Sequence, residues 1–328
     1  MRTRELMHLE NSGHAGMNAL FSKAHSAGWD IENDVDWSTP VAASDSLVAY
    51  EWGAFARTPT FRALPEEVKI YVTRRALGRV LNLLMLGESV ALEVCAKLAL
   101  KLRKEDQRNH ACAQAMDEAR HHLAYRRFLD KLGDKQEDVD LGMEMVFENL
   151  LQAEDPLDLI ATEQFFLESA AMGIFENIQR HATNPLLRDI LTLITRDESR
   201  HMGFGVLYIA DWMANHSRDE RIQFAQHWLP QMFGVIADQP GPLMASRVVQ
   251  RLQEAGVDDA AELGRRMLIE QPEVNQSEAR EVLSGRRLPH LLTSARRAGL
   301  LDADIVDALG LVEHPLVVAA QRGAAATA

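Results

Sequence analysis

After residue 65, apolar residues recur at spacings of three and four along almost the whole chain, while alternation of β-branched or aromatic residues is hardly ever sustained. This pattern predicts an all-α protein. Three helix starts are marked by proline at the first helical turn: Leu64-Pro65-Glu66-Glu67, Asp155-Pro156 and Asn184-Pro185, the last two with a capping residue immediately before. The periodicity then draws four long helices at about 66–103, 106–132, 156–182 and 185–214, with a short helix near 142–152 between the two hairpins. Such lengths suit a four-helix bundle with one longer crossover.

The flanks read differently. Residues 1–64 look irregular and carry Trp29, Trp37 and Trp52 in a polar setting, as expected of an N-terminal arm that packs on the bundle. A further helix is predicted over 218–236, and Gln239-Pro240-Gly241-Pro242 interrupts the pattern before shorter helical stretches that run to about residue 320. The expected organisation is an arm at 1–64, a bundle with a flanking helix at 65–236, and a helical C-terminal extension at 237–328.

With 47% hydrophobic and 25% charged residues among 328, the chain can bury a substantial core. Its net charge of −13 argues against a nucleic-acid surface, which needs clustered Lys and Arg. Cys95 and Cys112 lack metal-finger spacing and read as reduced thiols, and no apolar run approaches the roughly 20 residues of a membrane span. The start, MRTRELMHLENSGH, lacks the apolar stretch of a signal peptide, so the expected location is cytoplasmic and the expected partners include no membrane.

Two pentapeptides carry the chemistry. DEARH at 117–121 and DESRH at 197–201 each hold a Glu-x-x-His, so Glu118 with His121, and Glu198 with His201, present a carboxylate and an imidazole on one helix face. A pair of metal ions in a bundle core needs further negative charge, which such bundles supply as one Glu from each remaining helix. Glu88 in LNLLMLGESVAL and Glu168 in TEQFFLESAAMG sit in apolar stretches where a charge is costly unless coordinated or paired. Thirty residues separate Glu88 from Glu118, and thirty separate Glu168 from Glu198, so 88–121 and 168–201 read as two copies of one helical hairpin. Two copies offer four carboxylates and two imidazoles for two ions.

Glu93 and Glu163 are rivals, each five residues from a favoured Glu and therefore roughly 140° round an α-helix, so both members of a pair are not expected to face one site. Glu163 remains the alternative to Glu168, because a π-bulge shifts the phase. A ligating His needs its other ring nitrogen hydrogen-bonded, and Asp117 and Asp197 are placed to reach the imidazole of the facing helix. Arg120 and Arg200 can balance the surplus negative charge. His110, His122 and His181 lack partners in the repeat and read as surface or satisfied polar residues, and Met85, Met116, Met172 and Met202 as core filler. Phe165, Phe166, Phe175 and Phe204 either shield the site or fill the core.

On these residues the chain resembles the ferritin-like di-iron carboxylate superfamily over about 65–214. The Asp-Glu-x-Arg-His form of both motifs is closer to the bacterial multicomponent monooxygenase hydroxylases, the ribonucleotide reductase small subunit and its ligand-binding oxidase relatives than to ferritin. The stretch from Trp29-Asp30 to Asp36-Trp37 also resembles the leading segment of the reductase-like branch. The resemblance implies that Glu88, Glu118, His121, Glu168 (or Glu163), Glu198 and His201 ligate two Fe ions, or an Mn/Fe pair, that activate O2 to hydroxylate, desaturate or N-oxygenate a small organic substrate. It also implies a homodimer. Electrons would come from a donor protein or other reductant, since no flavin or dinucleotide fingerprint is present.

Some positions depart from the pattern. The hydroxylases carry a Thr one turn after the third-helix Glu, where this chain has Met172 after Glu168 and Leu167 after Glu163. Tyr125 stands seven residues after Glu118, as the radical Tyr of the reductase subunit does, and reads either as such a group or as a buried Tyr with a satisfied hydroxyl. Glu88 replaces the Asp that subunit has as first ligand, and the AAATA tail has no docking aromatic. A radical-generating subunit using Tyr125 and a ferritin-like iron-handling protein are thus the alternative readings.

Overall fold

In the computed structural model, residues 9–53, 55–133, 141–237, 242–283 and 289–325 are described, and among them all regular structure is helical apart from two isolated bridges. The chain runs through α1 (Ala15–Ser26), α2 (Pro59–Arg62), α3 (Glu66–Lys101), α4 (Glu105–Leu132), α5 (Leu141–Gln152), α6 (Pro156–Ile160), a π-helical segment (Ala161–Leu167), α7 (Glu168–His181) and α8 (Pro185–Asn215). Then follow α9 (Arg218–Ala237), α10 (Pro242–Glu254), α11 (Ala260–Leu283), α12 (Pro289–Arg297), α13 (Ala303–Ala308) and α14 (Pro315–Ala325).

The local signals act where they stand. Asp155 accepts a hydrogen bond from the Leu157 amide and Asn184 one from Leu187, so both starts of the second hairpin are capped by side chains next to Pro156 and Pro185. α4 ends at Gly133, whose φ of 71° is the left-handed conformation that glycine adopts without Cβ strain. α3 and α4 pack along one another, and α7 with its π segment packs on α8, giving a bundle of two hairpins of the ferritin-like kind.

Two corrections to the sequence reading matter for the site. The N-terminal arm is not wholly irregular: α1 lies across α4 and α8, burying Met17. Its single fully buried position explains why periodicity gave no warning. The third bundle helix, expected to be continuous over 156–182, widens into the π segment between α6 and α7.

The core is layered along the bundle axis. One apolar cluster holds Leu77, Leu81, Phe128, Phe175, Ile190 and Ile194. A second holds Val94, Leu98, Phe165, Phe204 and Ile209, together with Leu291, Ala295, Ile305 and Val317 from the C-terminal third. The first lies before Glu88 and Glu198 and after His121 and Glu168 in sequence, and the second on the other side of each. The conserved-looking spacing of the two hairpins therefore leaves a polar layer between two greasy ones.

Candidate metal centre

The four bundle helices each place a buried carboxylate in that layer. Two groups of side chains converge: Glu88, Glu118, His121 and Glu198 in one, and Glu118, Glu168, Glu198 and His201 in the other. Within each group, one ligand atom per residue lies within 4.8 Å of every other, and all are buried. Glu118 and Glu198 belong to both. His121 Nδ1 is 2.9 Å from Glu198 Oε1, 3.3 Å from Glu118 Oε2 and 3.5 Å from Glu88 Oε2. His201 Nδ1 is 2.8 Å from Glu198 Oε2, 3.2 Å from Glu118 Oε1 and 3.6 Å from Glu168 Oε1.

The outward nitrogens are paired across the bundle. His121 Nε2 lies 3.2 Å from Asp197 Oδ2, and His201 Nε2 lies 3.2 Å from Asp117 Oδ2. Arg200 donates to both aspartates, at 3.1 Å to Asp117 and 2.8 Å to Asp197, while Arg120 contacts Asp117 and lies 3.3 Å from Asp197. Hydrogen bonds from His201 and His121 hold Asp117 and Asp197 below the usual carboxylate range, although burial acts the other way. With each Nε2–H given to an anionic Asp, each Nδ1 lone pair is left facing the carboxylates.

That arrangement is unfavourable without a cation. Burial and the neighbouring Glu198 push Glu88 and Glu168 well above the ordinary carboxylate value. Burial alone would lower His121 and His201, yet the carboxylates around them, Glu198 and Glu118, hold both well above the usual imidazole value. Glu118 Oε2 and His121 Nδ1 are buried and, although they lie near one another, make no well-aligned hydrogen bond among the described residues. Four carboxylates and two neutral imidazoles balance two divalent ions, so the residues fit a dinuclear centre.

Several side chains depart from expectation. Glu163 faces the same layer as Glu168, and burial with Glu118 and Glu198 pushes its carboxyl up to about 8. The π segment is the reason, since one extra residue per turn brings positions five apart nearly over one another. Glu163 nevertheless belongs to neither converging group. Tyr125 is buried with no hydrogen-bond partner for its hydroxyl among the described residues, and burial with Glu88 nearby raises it well above the usual phenol value. His110 is buried with both ring nitrogens unpartnered among the described residues, stacks on Phe204 at 4.3 Å, and is pushed down to about 3 by burial. Met116 is exposed rather than core filler.

Two residues had no role at the site in the sequence reading. Trp29, from the arm, donates its indole N–H to Asp197 at 2.7 Å and stacks 6.3 Å from His121 with an interplanar angle of 14°. Gln114 donates to Glu118 Oε1 at 2.8 Å and to Glu168 Oε1 at 3.2 Å. Its position one turn before Glu118 was the available signal.

The model of the p-aminobenzoate N-oxygenase AurF family matches residues 11–282, most of the chain and all of the residues above. The chain belongs to this family. Membership puts it among the ferritin-like di-iron oxygenases and oxidases and makes it an oxidoreductase. A comparison with curated proteins finds no match. Among solved structures, the R2-like ligand-binding oxidase from Sulfolobus acidocaldarius is similar with a TM-score of 0.48 and 19% identity, over 79% of this chain and 93% of that one. Among the described residues of this AurF-family chain, no helix is long and apolar enough to cross a membrane.

Proposed function

We propose that the protein holds two iron ions through Glu88, Glu118, His121, Glu168, Glu198 and His201, and uses O2 to N-oxygenate a small organic amine. The observation that carries this reading is the pair of converging donor groups, each with one Glu and one His of its own and both sharing Glu118 and Glu198. The amine follows from the family, whose description is p-aminobenzoate N-oxygenase. Iron held by these six residues would supply the redox chemistry of dioxygen activation. Inserting one oxygen atom into an amine N–H bond, with the other leaving as water, consumes two electrons and two protons, and the electrons come from a separate donor protein or reductant.

The chain's own residues set the conditions. Asp117 and Asp197 take the Nε2 protons of His201 and His121, fixing tautomer and ring orientation. Arg120 and Arg200 offset the two aspartates, so the shell outside the imidazoles is neutral. Phe165, Phe175 and Phe204 are fully buried and keep water from the layer. In the metal-free chain, burial with Glu118 and Glu198 beside it keeps the proton of Glu163, outside both donor groups, on its carboxyl near neutral pH.

The test is an anaerobic Fe(II) titration of apoprotein, reading iron per chain in wild type, Glu118→Ala and Glu198→Ala. Two irons per chain, lost in both variants, is the expected result; uptake indifferent to either substitution refutes the reading. Loaded protein with a reductant and labelled O2 should then place one labelled oxygen on the nitrogen of an aromatic amine. A second reading, a radical-generating subunit, is favoured by the unpartnered Tyr125 hydroxyl. Electron paramagnetic resonance after aerobic oxidation separates the two, because a persistent tyrosyl signal abolished by Tyr125→Phe belongs to that reading alone.

A further inference from the structure

The eighty-residue repeat gives each position in one hairpin a counterpart in the other, and the counterparts differ where they matter. Gln114 corresponds to Ile194. Both are buried, but Ile194 lies in an apolar cluster whereas Gln114 reaches from α4 to two carboxylates, Glu118 on its own helix and Glu168 on α7. The oxygens it touches, Glu118 Oε1 and Glu168 Oε1, are those that face His201 Nδ1 at 3.2 and 3.6 Å. The amide has one workable orientation, because turning it over would set Oε1 against both carboxylates. Among the described residues, Glu88 on the other half has the imidazole of His121 at 3.5 Å as its one side-chain partner, and Ile194, in the place of Gln114, has no donor.

We propose that Gln114 is a positioning residue that makes the two halves of the metal site unequal, so that the first divalent ion is captured by Glu118, Glu168, Glu198 and His201 and the Glu88/His121 half fills second. The proposal rests on the two-metal reading above. A neutral donor shared between Glu118 and Glu168 offsets their repulsion before any ion arrives and holds both in the orientation that faces His201. Glu88, unclamped, must lose its side-chain freedom at the moment of binding. Outer hydrogen-bond partners of metal ligands change affinity by about 10- to 100-fold when removed, which sets the expected difference.

The experiment is a titration of apoprotein with Mn(II), following free ion by electron paramagnetic resonance. Wild type should take up two equivalents with distinct affinities. Gln114→Met, which keeps the length and removes the donor, should weaken the tighter equivalent about 10- to 100-fold and the other, which shares only Glu118 with it through this amide, by less. Glu88→Ala should keep the tight equivalent and Glu168→Ala should lose it, and this pair stands even if Gln114→Met fails to fold, which circular dichroism and melting will show. Equal affinities in wild type, equal weakening of both equivalents by Gln114→Met, or the reverse assignment by the Glu variants overturns the proposal. Wild type that binds no metal overturns the two-metal reading itself.

Discussion

Trp29 shows how a side chain far from the motifs governs one of them. Its indole N–H is a donor that, with His121 and the two arginines, satisfies Asp197, and its ring lies nearly parallel to that of His121. Trp29→Phe keeps most of the ring and deletes the donor, leaving a buried charged oxygen one partner short, at a cost of about 1–3 kcal/mol. Urea unfolding of the metal-free variant should show that loss, and an unchanged midpoint would mean that Asp197 is satisfied without the indole. Glu163 makes a second prediction at this scale. Its carboxyl is raised from 4.5 to about 8 in the folded protein, so the unfolded chain releases this proton first as pH rises. Folded metal-free protein therefore binds more protons between those values, and its stability falls as pH climbs from about 4.5 to about 8, then levels. Glu163→Gln should flatten that part of a melting-temperature profile; an identical slope would remove Glu163 as its source.

The π segment is a second difference between the two hairpins, and it is built against Gly205. A Cβ on that residue would meet Gln164 C at 2.5 Å, Gln164 O at 2.6 Å and Phe165 N at 2.7 Å, all backbone atoms that cannot swing aside. The repeat places Tyr125 where the other hairpin has Gly205, so the absence of a side chain there lets α8 admit the wider turn. Gly205→Ala should force the π segment or α8 to shift, destabilising by about 1–3 kcal/mol in denaturant unfolding, and neutrality would show that the contact is slack. The same element marks the limit of what the sequence discloses. Both hairpins were legible because Pro156, Pro185 and the twin motifs act locally, and the carboxylate and imidazole positions followed from helical spacing. The π turn was legible only as the phase shift that kept Glu163 beside Glu168, because its place depends on a missing Cβ more than thirty residues away. α1 buries one fully buried residue in a polar sequence, and a lone buried Gln114 or an arm Trp29 looks like any other helix or loop residue until the partner helix is in place.

At the scale of the molecule, the C-terminal third completes the apolar layer beside the site. Leu291, Ala295, Leu300, Ile305 and Val317 are fully buried in one cluster with Phe165, Phe204 and Leu229. Ser294 of α12 pairs with Ser169 at 2.9 Å, on the residue next to Glu168. Burying a Leu, Ile or Val side chain contributes about 1.5–3 kcal/mol, so losing the four of them here removes an amount comparable with the 5–15 kcal/mol that typically holds a domain together. A chain ending at Ala237 should accordingly lose cooperative melting and, with Glu168 no longer backed by α12, fail to retain two metal ions per chain. Calorimetry and metal analysis of the purified fragment check both. A fragment that melts like the full chain and keeps both ions would make the C-terminal helices an independent appendage. The packing of Leu291 and Ala295 into the layer that also holds Phe165, two residues from Glu163, argues that they instead back the polar layer in which the candidate metal ligands converge.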